Sequence, residues 1–211
     1  MTATLLFMHG WGFDGSIWSD VMRHLHGFDC HIGDRGYFGA PGELRAEGSC
    51  IVVGHSLGVM HWLADLPADC IGLVAVNGFD RFVEGDGFPG VPRRPLERMI
   101  ARLPLDPVQS VADFRIRCGA GDKAGEPVVD TLLSDLELLR DGDYRDRICA
   151  IPAMSLQGVD DPLLPRDMRE AVFAKASNLT RMACGTAGHL LPSEAPEWTA
   201  SAIADFARAV A

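Results

Sequence analysis

The eleven residues Cys50 to Met60, CIVVGHSLGVM, restrict the fold more than any other stretch of the chain. Ile51, Val52 and Val53 form a short β-branched run of the kind that makes a strand buried on both faces. Leu57 to Ala64, LGVMHWLA, has helical spacing and stops before Pro67. Between strand and helix the chain reads Gly54-His55-Ser56-Leu57-Gly58, a GxSxG pattern. The pattern alone says little, because ten serines and 23 glycines in 211 residues can produce it by accident. Its setting says more. A reversal this sharp needs residues without a Cβ on both sides, and it forces the serine between them into a strained backbone that pushes its Oγ outward. Ser56 is therefore a candidate nucleophile.

The rest of the chain repeats the alternation of strand and helix. Thr4 to Met8 reads as a first strand, Ser16 to Leu25 as a helix capped by Asp14 or Ser16, and Phe28 to Ile32 as a second strand. Gly33 to Ser49 is rich in glycine and charge and reads mostly as loop. Cys70 to Val76 and Ile151 to Gln157 are further buried strands, Arg166 to Ala176 an amphipathic helix, Leu179 to Ala183 a last strand, and Glu194 to Val210 a final helix. This order predicts an α/β fold with a doubly wound, mostly parallel sheet. The interval from Phe79 to Cys149 breaks the rhythm with GFPGVPRRP and then two or more helices, as a helical cap inserted at about 80–148 would. At 47% hydrophobic residues, 1–211 is expected to form a single domain.

Composition excludes several classes of function. The formal charge of −10 argues against nucleic acid as a partner, since phosphate backbones are bound by basic surfaces. No run of about 18 apolar residues exists, and no basic region precedes the apolar start MTATLLFMHG, so neither a membrane span nor a signal peptide is expected, and the expected location is the cytoplasm. The six cysteines at 30, 50, 70, 118, 149 and 184 show no CxxC or paired spacing. His24, His26, His31 and His61 form no metal-like cluster with a carboxylate, so no metal or other cofactor is implied.

A nucleophilic serine needs a base, an acid to orient that base, and amide donors where the oxyanion forms. In an open parallel sheet all of these belong on loops at the C-terminal ends of strands. Ala187-Gly188-His189 follows the last strand, which makes His189 the best base among seven histidines. The loop after IPAMSLQ reads GVDDPLLP and offers Asp160 or Asp161, while Asp80 after CIGLVAV is another position for the acid. With either loop residue the chain order is Ser, Asp, His. The first loop, HGWG, supplies one oxyanion amide, and Leu57 the other. His9 and His55 read as packing or supporting hydrogen-bonding residues, and Trp11 and Trp18 as pocket wall or core.

With HGWG, GHSLG, GVDDPLLP and AGHLLP in view, the chain resembles an α/β-hydrolase over residues 3 to 80 and 150 to 210. Its opening HGWGFDGSIW is similar to the small carboxylesterases that hydrolyse pimeloyl-acyl-carrier-protein methyl ester in biotin synthesis. The resemblance implies that the backbone of Trp11 contributes an oxyanion amide. It also implies that the acid is Asp161, three residues after Gly158 and four before Pro165. One departure is that the sequence starts at the strand preceding HGWG, so a sheet without the usual antiparallel opening hairpin is expected.

The expected activity is that of a serine carboxylesterase acting on a short or medium acyl ester, with an ester borne by acyl carrier protein as the substrate the resemblance implies. Thioesterases and lyases use the same constellation, and a signalling module could hold a small ligand in the same pocket without turnover. A carrier is itself acidic, and the basic part of this chain is the start of the cap. Residues 1 to 80 carry three basic and nine acidic side chains, against seven and five in residues 81 to 120. Arg94, Arg98 and Arg102 lie four residues apart. If Pro95 opens a helix, Arg98 and Arg102 share a face that could meet a carrier's acidic helix, although a solvated helix with scattered arginines is the plainer reading.

Overall fold

The computed structural model describes residues 3–42, 44, 48–122, 125–148 and 151–211. Among these, Thr4–Met8 (β1), Cys30–Ile32 (β2), Cys50–His55 (β3), Cys70–Val76 (β4), Ala153–Gly158 (β5) and Leu179–Cys184 (β6) form one sheet in the order β2-β1-β3-β4-β5-β6. Every strand pairing in it is parallel, so the described sheet holds no opening hairpin. A 3-10 turn, Gly15–Trp18, leads into Ser19–Met22 (α1), and Leu57–Ala64 (α2) follows β3. Arg93–Arg102 (α3), Pro107–Arg117 (α4) and Val129–Asp141 (α5) occupy the interval between β4 and β5. Arg166–Ala171 (α6) joins β5 to β6, which is followed by Leu191–Glu194 (α7) and Pro196–Val210 (α8).

Strand alternation explains why the central strands are apolar throughout. Leu5, Phe7, Ile51, Val53, Val74 and Val76 face one side, where they pack with Trp18, Val21, Ile203 and Phe206 of the α1 and α8 layer. Leu6, Val52, Leu73 and Ala75 face the other, against Met60 and Leu63 of α2 and Leu103, Val111, Leu132 and Leu136 of the inserted helices. Each Val, Leu, Ile, Phe or Met among them, fully buried, stabilises the fold by about 1.5–3 kcal/mol. The chain runs from β1 outward to β2 and then crosses back to β3 on the other side of β1. The crevice at the C-terminal ends of β1 and β3 is thus the topological switch point, where open parallel sheets bind their ligands.

Several element ends differ from the sequence-based expectation. Asp14 is the cap, accepting the Ser16 N–H at 2.8 Å, but the helix begins as a 3-10 turn. It ends at Met22, because His24 and Leu25 bond three residues back. β2 starts at Cys30, since the Phe28 N–H is used in a turn to the Leu25 carbonyl. α6 ends at Ala171 rather than Ala176: Phe173 takes φ 58°, and its N–H is held by the Asp80 carboxylate at 2.9 Å. α8 begins at Pro196, with Ala195 held out of helical geometry before it. α3 begins at Arg93, so Pro95 sits inside the first turn, where its missing N–H would have had no intrahelical partner. Cys30, Cys50, Cys70, Cys118 and Cys184 are free thiols, and Cys149 lies outside the described residues. No described helix is long and apolar enough to cross a membrane.

Candidate active site

The elbow after β3 has the geometry that its glycines permit. Ser56 adopts φ 53° and ψ −122°, and its N–H donates to the Val76 carbonyl of β4 at 3.0 Å. A Cβ on Gly54 would sit 2.6 Å from the Val59 nitrogen, and one on Gly58 would sit 2.5 Å from the Met8 carbonyl oxygen. Both positions therefore require glycine, and the strain falls on the serine.

The loops after β5 and β6 bring two more groups to it. The Ser56 hydroxyl lies 3.2 Å from His189 Nε2, and His189 Nδ1 lies 2.8 Å from Asp161 Oδ2. The tautomer that fits both contacts donates Nδ1–H to the carboxylate and leaves Nε2 to accept from the hydroxyl. His189 is 1% exposed and the Asp161 side chain is fully buried. Burial alone would raise the Asp161 pKa, but the neighbouring His189 and the N–H groups of Leu163 and Leu164, which donate to Oδ1 at 2.7 and 3.0 Å, hold it below the usual carboxylate range. Asp160 is exposed, and Asp80 bonds the Phe173 N–H instead. Of the three candidate acids, the structure brings only Asp161 to the imidazole.

The HGWG loop meets the elbow at the switch point. Met8 is in register with Gly54, and a Cβ on Gly10 would lie 2.9 Å from that of Ser56. Buried His9 fixes this loop, donating Nδ1–H to the Gly10 carbonyl at 2.9 Å and accepting the Arg35 N–H on Nε2 at 2.9 Å. The Trp11 indole N–H donates to the Leu132 carbonyl of α5 at 2.8 Å, and its ring meets Phe114 of α4 edge-on at 4.9 Å. That side chain therefore joins the loop to the inserted helices. Among the described residues no acceptor pairs with the backbone N–H of Trp11 or Leu57, leaving both free to donate. Trp18 is core, against Phe7.

Two further features carry no sequence motif. Fully buried Asn77, in the left-handed region at φ 46°, donates Nδ2–H to the carbonyls of Gly188 and His189 at 2.8 and 2.9 Å, and its Oδ1 accepts the Gly158 N–H at 2.7 Å. One side chain thereby ties the loop after β5 to the loop after β6. His55 donates Nε2–H to the same His189 carbonyl at 2.8 Å, and burial, then the neighbouring His189, pushes its pKa down to about 3, so it stays neutral. The only local signal for Asn77 is its place at the end of a buried strand. The second feature is Asp135 of α5, 2% exposed. It receives Arg35 at 2.9 and 2.8 Å, the Tyr37 hydroxyl at 2.5 Å and His61 of α2 at 3.1 Å. Burial opposes its charge, but these bonds outweigh it and hold the carboxyl well below the usual range.

An apolar cavity of about 270 Å³ lies between the inserted helices and the acid loop, lined in part by Leu96, Met99, Phe114, Leu136, Leu139 and Leu163. The α3 arginines stand apart from the triad. Arg94, Arg98 and Arg102 are all exposed, and Arg98 and Arg102 line an adjoining hollow that shares Pro95, Met99, Phe114 and Arg117 with this cavity. Arg102 is engaged by Asp113 at 2.6 Å, so the basic face expected from the sequence is narrower than three arginines. Among the described residues no cluster of three His, Cys, Asp or Glu is arranged to hold a metal ion.

No protein-family model matches the chain. A pimeloyl-acyl-carrier-protein methyl ester esterase of Pectobacterium carotovorum subsp. carotovorum is 26% identical over 246 aligned positions, covering 97% of this chain and 94% of the relative. One from Yersinia enterocolitica is 23% identical over 240 positions, covering 97% and 93%. Among solved structures, a bromoperoxidase from Bacillus anthracis superposes with a TM-score of 0.84 at 14% identity, and a thermophilic esterase from Thermogutta terrifontis with 0.77 at 18%. Each covers 99% of this chain and 92% of the other. At these identities the structural likeness is one of fold, and the chain has the α/β-hydrolase fold.

Proposed function

We propose that the protein is a serine carboxylesterase whose catalytic residues are Ser56, His189 and Asp161, in one domain capped by α3, α4 and α5. The observation that carries this reading is the unbroken chain of contacts from the Ser56 hydroxyl through His189 to Asp161. In the proposed reaction Ser56 Oγ attacks the ester carbonyl as His189 Nε2 takes its proton. The N–H groups of Trp11 and Leu57 stabilise the oxyanion, an interaction worth about 10²–10³ in rate for one donor in known cases. His189 then gives the proton to the departing alkoxide, and the alcohol leaves acyl-Ser56. A water molecule deprotonated by His189 attacks this acyl-enzyme, and the carboxylic acid departs as Ser56 recovers its proton. Asp161 holds the imidazole tautomer and stabilises the imidazolium at each transfer.

Turnover of p-nitrophenyl esters of graded chain length tests the reading. Many turnovers by the wild-type protein and a loss of at least about a thousandfold in S56A are expected. A single stoichiometric acylation would instead favour a ligand-holding module. The curated relatives' names support a finer proposal, that the ester is a pimeloyl methyl ester presented by acyl carrier protein and that Arg94 and Arg98, with Arg102 in part, meet the carrier's acidic surface. R94E/R98E should then raise KM for a carrier-borne ester far more than for p-nitrophenyl butyrate, with a strong dependence on salt. Equal changes would exclude docking on this face.

A further inference from the structure

Arg117, the exposed last residue of α4, shares a hollow with Arg98 and Arg102 but also reaches two spaces that they do not. It lines the apolar cavity with Leu96, Met99, Leu136 and Leu163, and it also lines an opening of about 340 Å³ that contains His189, Gly188 and Asp160. The cavity is bounded by Phe114, whose ring packs on Trp11, and by Pro162 and Leu163, which directly follow Asp161. Its apolar wall therefore begins beside both the oxyanion loop and the acid. Of the neighbouring cations, Arg102 pairs with Asp113, Arg115 donates to the carbonyls of Gly12 and Gly121 and lies over the Phe13 ring at 4.7 Å, and Arg98 lines neither the apolar cavity nor the opening. Arg117 makes no hydrogen bond or ion pair among the described residues. Asp113 is already taken by Arg102 and Gln109, and Glu194, which lines the opening, accepts the Gly188 N–H. Asp160 also lines the opening without pairing to Arg117.

We infer that Arg117 is a specificity-determining residue that takes an anionic group carried by the substrate, whose apolar chain lies in the adjoining cavity. The inference rests on the esterase reading and narrows its substrate class to esters that combine an alkyl chain with an anion. An apolar slot with one guanidinium at its mouth favours such a molecule over a neutral ester, because the cation gains a counter-ion there without leaving solvent entirely. The anion has two chemical sources, a free carboxylate at the far end of a dicarboxylic acid monoester or the phosphate of a carrier's prosthetic arm.

The test compares kcat/KM for monomethyl esters of dicarboxylic acids of graded length with methyl esters of fatty acids of matched length. A parallel arm compares a methyl ester borne on 4'-phosphopantetheine with the same ester on pantetheine. Wild-type protein should prefer the anionic member in at least one arm, and that arm identifies the source. R117M, which keeps an apolar stem, should lower the anionic-to-neutral ratio by about tenfold or more, with R117K restoring part of it. No preference in either arm, or a ratio unchanged in R117M, overturns the inference. If the wild-type protein hydrolyses none of these esters, the esterase reading fails separately. Calorimetric binding of a monoalkyl dicarboxylate then decides, with weaker binding to R117M supporting the anion site and equal binding overturning it.

Discussion

Ser56 holds φ 53° and ψ −122°, a conformation that costs a non-glycine residue roughly 1–3 kcal/mol and persists only where the surroundings over-determine it. The surroundings here are Gly54, Gly58 and the Val76 carbonyl, and the result is a hydroxyl aimed at His189. The neighbouring acid gives a sharp test at the same scale. D161N should lower kcat on a p-nitrophenyl ester by on the order of a hundredfold or more, because an amide favours the wrong imidazole tautomer, whereas D160N removes an exposed carboxylate and should cost only a few-fold. Equal losses would contradict the assignment. That Ser56 and His189 meet is legible in the sequence, because each follows a strand in a loop whose glycines announce it. The choice between Asp160 and Asp161 is not legible from the residues themselves, since both lie in one turn, and only the resemblance to the small carboxylesterases implies it. Asn77 was missed because its role is to bond three backbone groups of residues about 80 and 110 positions away, which no local pattern encodes.

The inserted helices are held to the sheet by groups that hydrophobic patterning does not reveal. Asp135 joins α5 to α2 and to the loop that carries Arg35, and the Arg35 N–H in turn donates to His9 of the HGWG loop. D135A would leave Arg35 and Tyr37 facing each other without their shared acceptor. Arg35 retains some solvent access, so urea denaturation should show a loss of about 3 kcal/mol, the lower end for a broken buried pair. A change under about 1 kcal/mol would show that the network is dispensable. Asp80 gives the opposite pH signature. Burial, partly offset by the Phe173 N–H, pushes its pKa up to about 6, so the native state binds its proton more tightly than the unfolded chain does. Its contribution is full below about pH 4 and is lost as pH rises through about 6, a swing on the order of 3 kcal/mol. D80N should therefore gain on the wild-type protein by about that amount between pH 4 and pH 7.5 in urea midpoints. A constant difference would mean that Asp80 titrates normally. The same residue explains why α6 was overestimated from sequence, because its carboxylate stabilises the Phe173 backbone that ends the helix.

At the scale of the whole molecule, the parallel sheet was legible because its central strands are short apolar runs separated by helical periodicity. That helices fill the interval between β4 and β5 is legible from the break in that rhythm. How the insertion sits was not, because Trp11 to Leu132 and Asp135 to Arg35 are contacts between segments roughly a hundred residues apart. The order β2-β1-β3 places the HGWG loop and the elbow side by side, and the loops after β5 and β6 reach the same end of the sheet. Four distant segments thus converge on one hydroxyl, the proposed nucleophile. The most direct measurement is a fluorophosphonate reaction followed by intact mass and peptide mapping, run on the wild-type protein and on S56A. A nucleophilic Ser56 gives one adduct per chain, located on Ser56, and none on the folded S56A variant. An adduct mapped to another residue, or equal labelling of S56A, would contradict it.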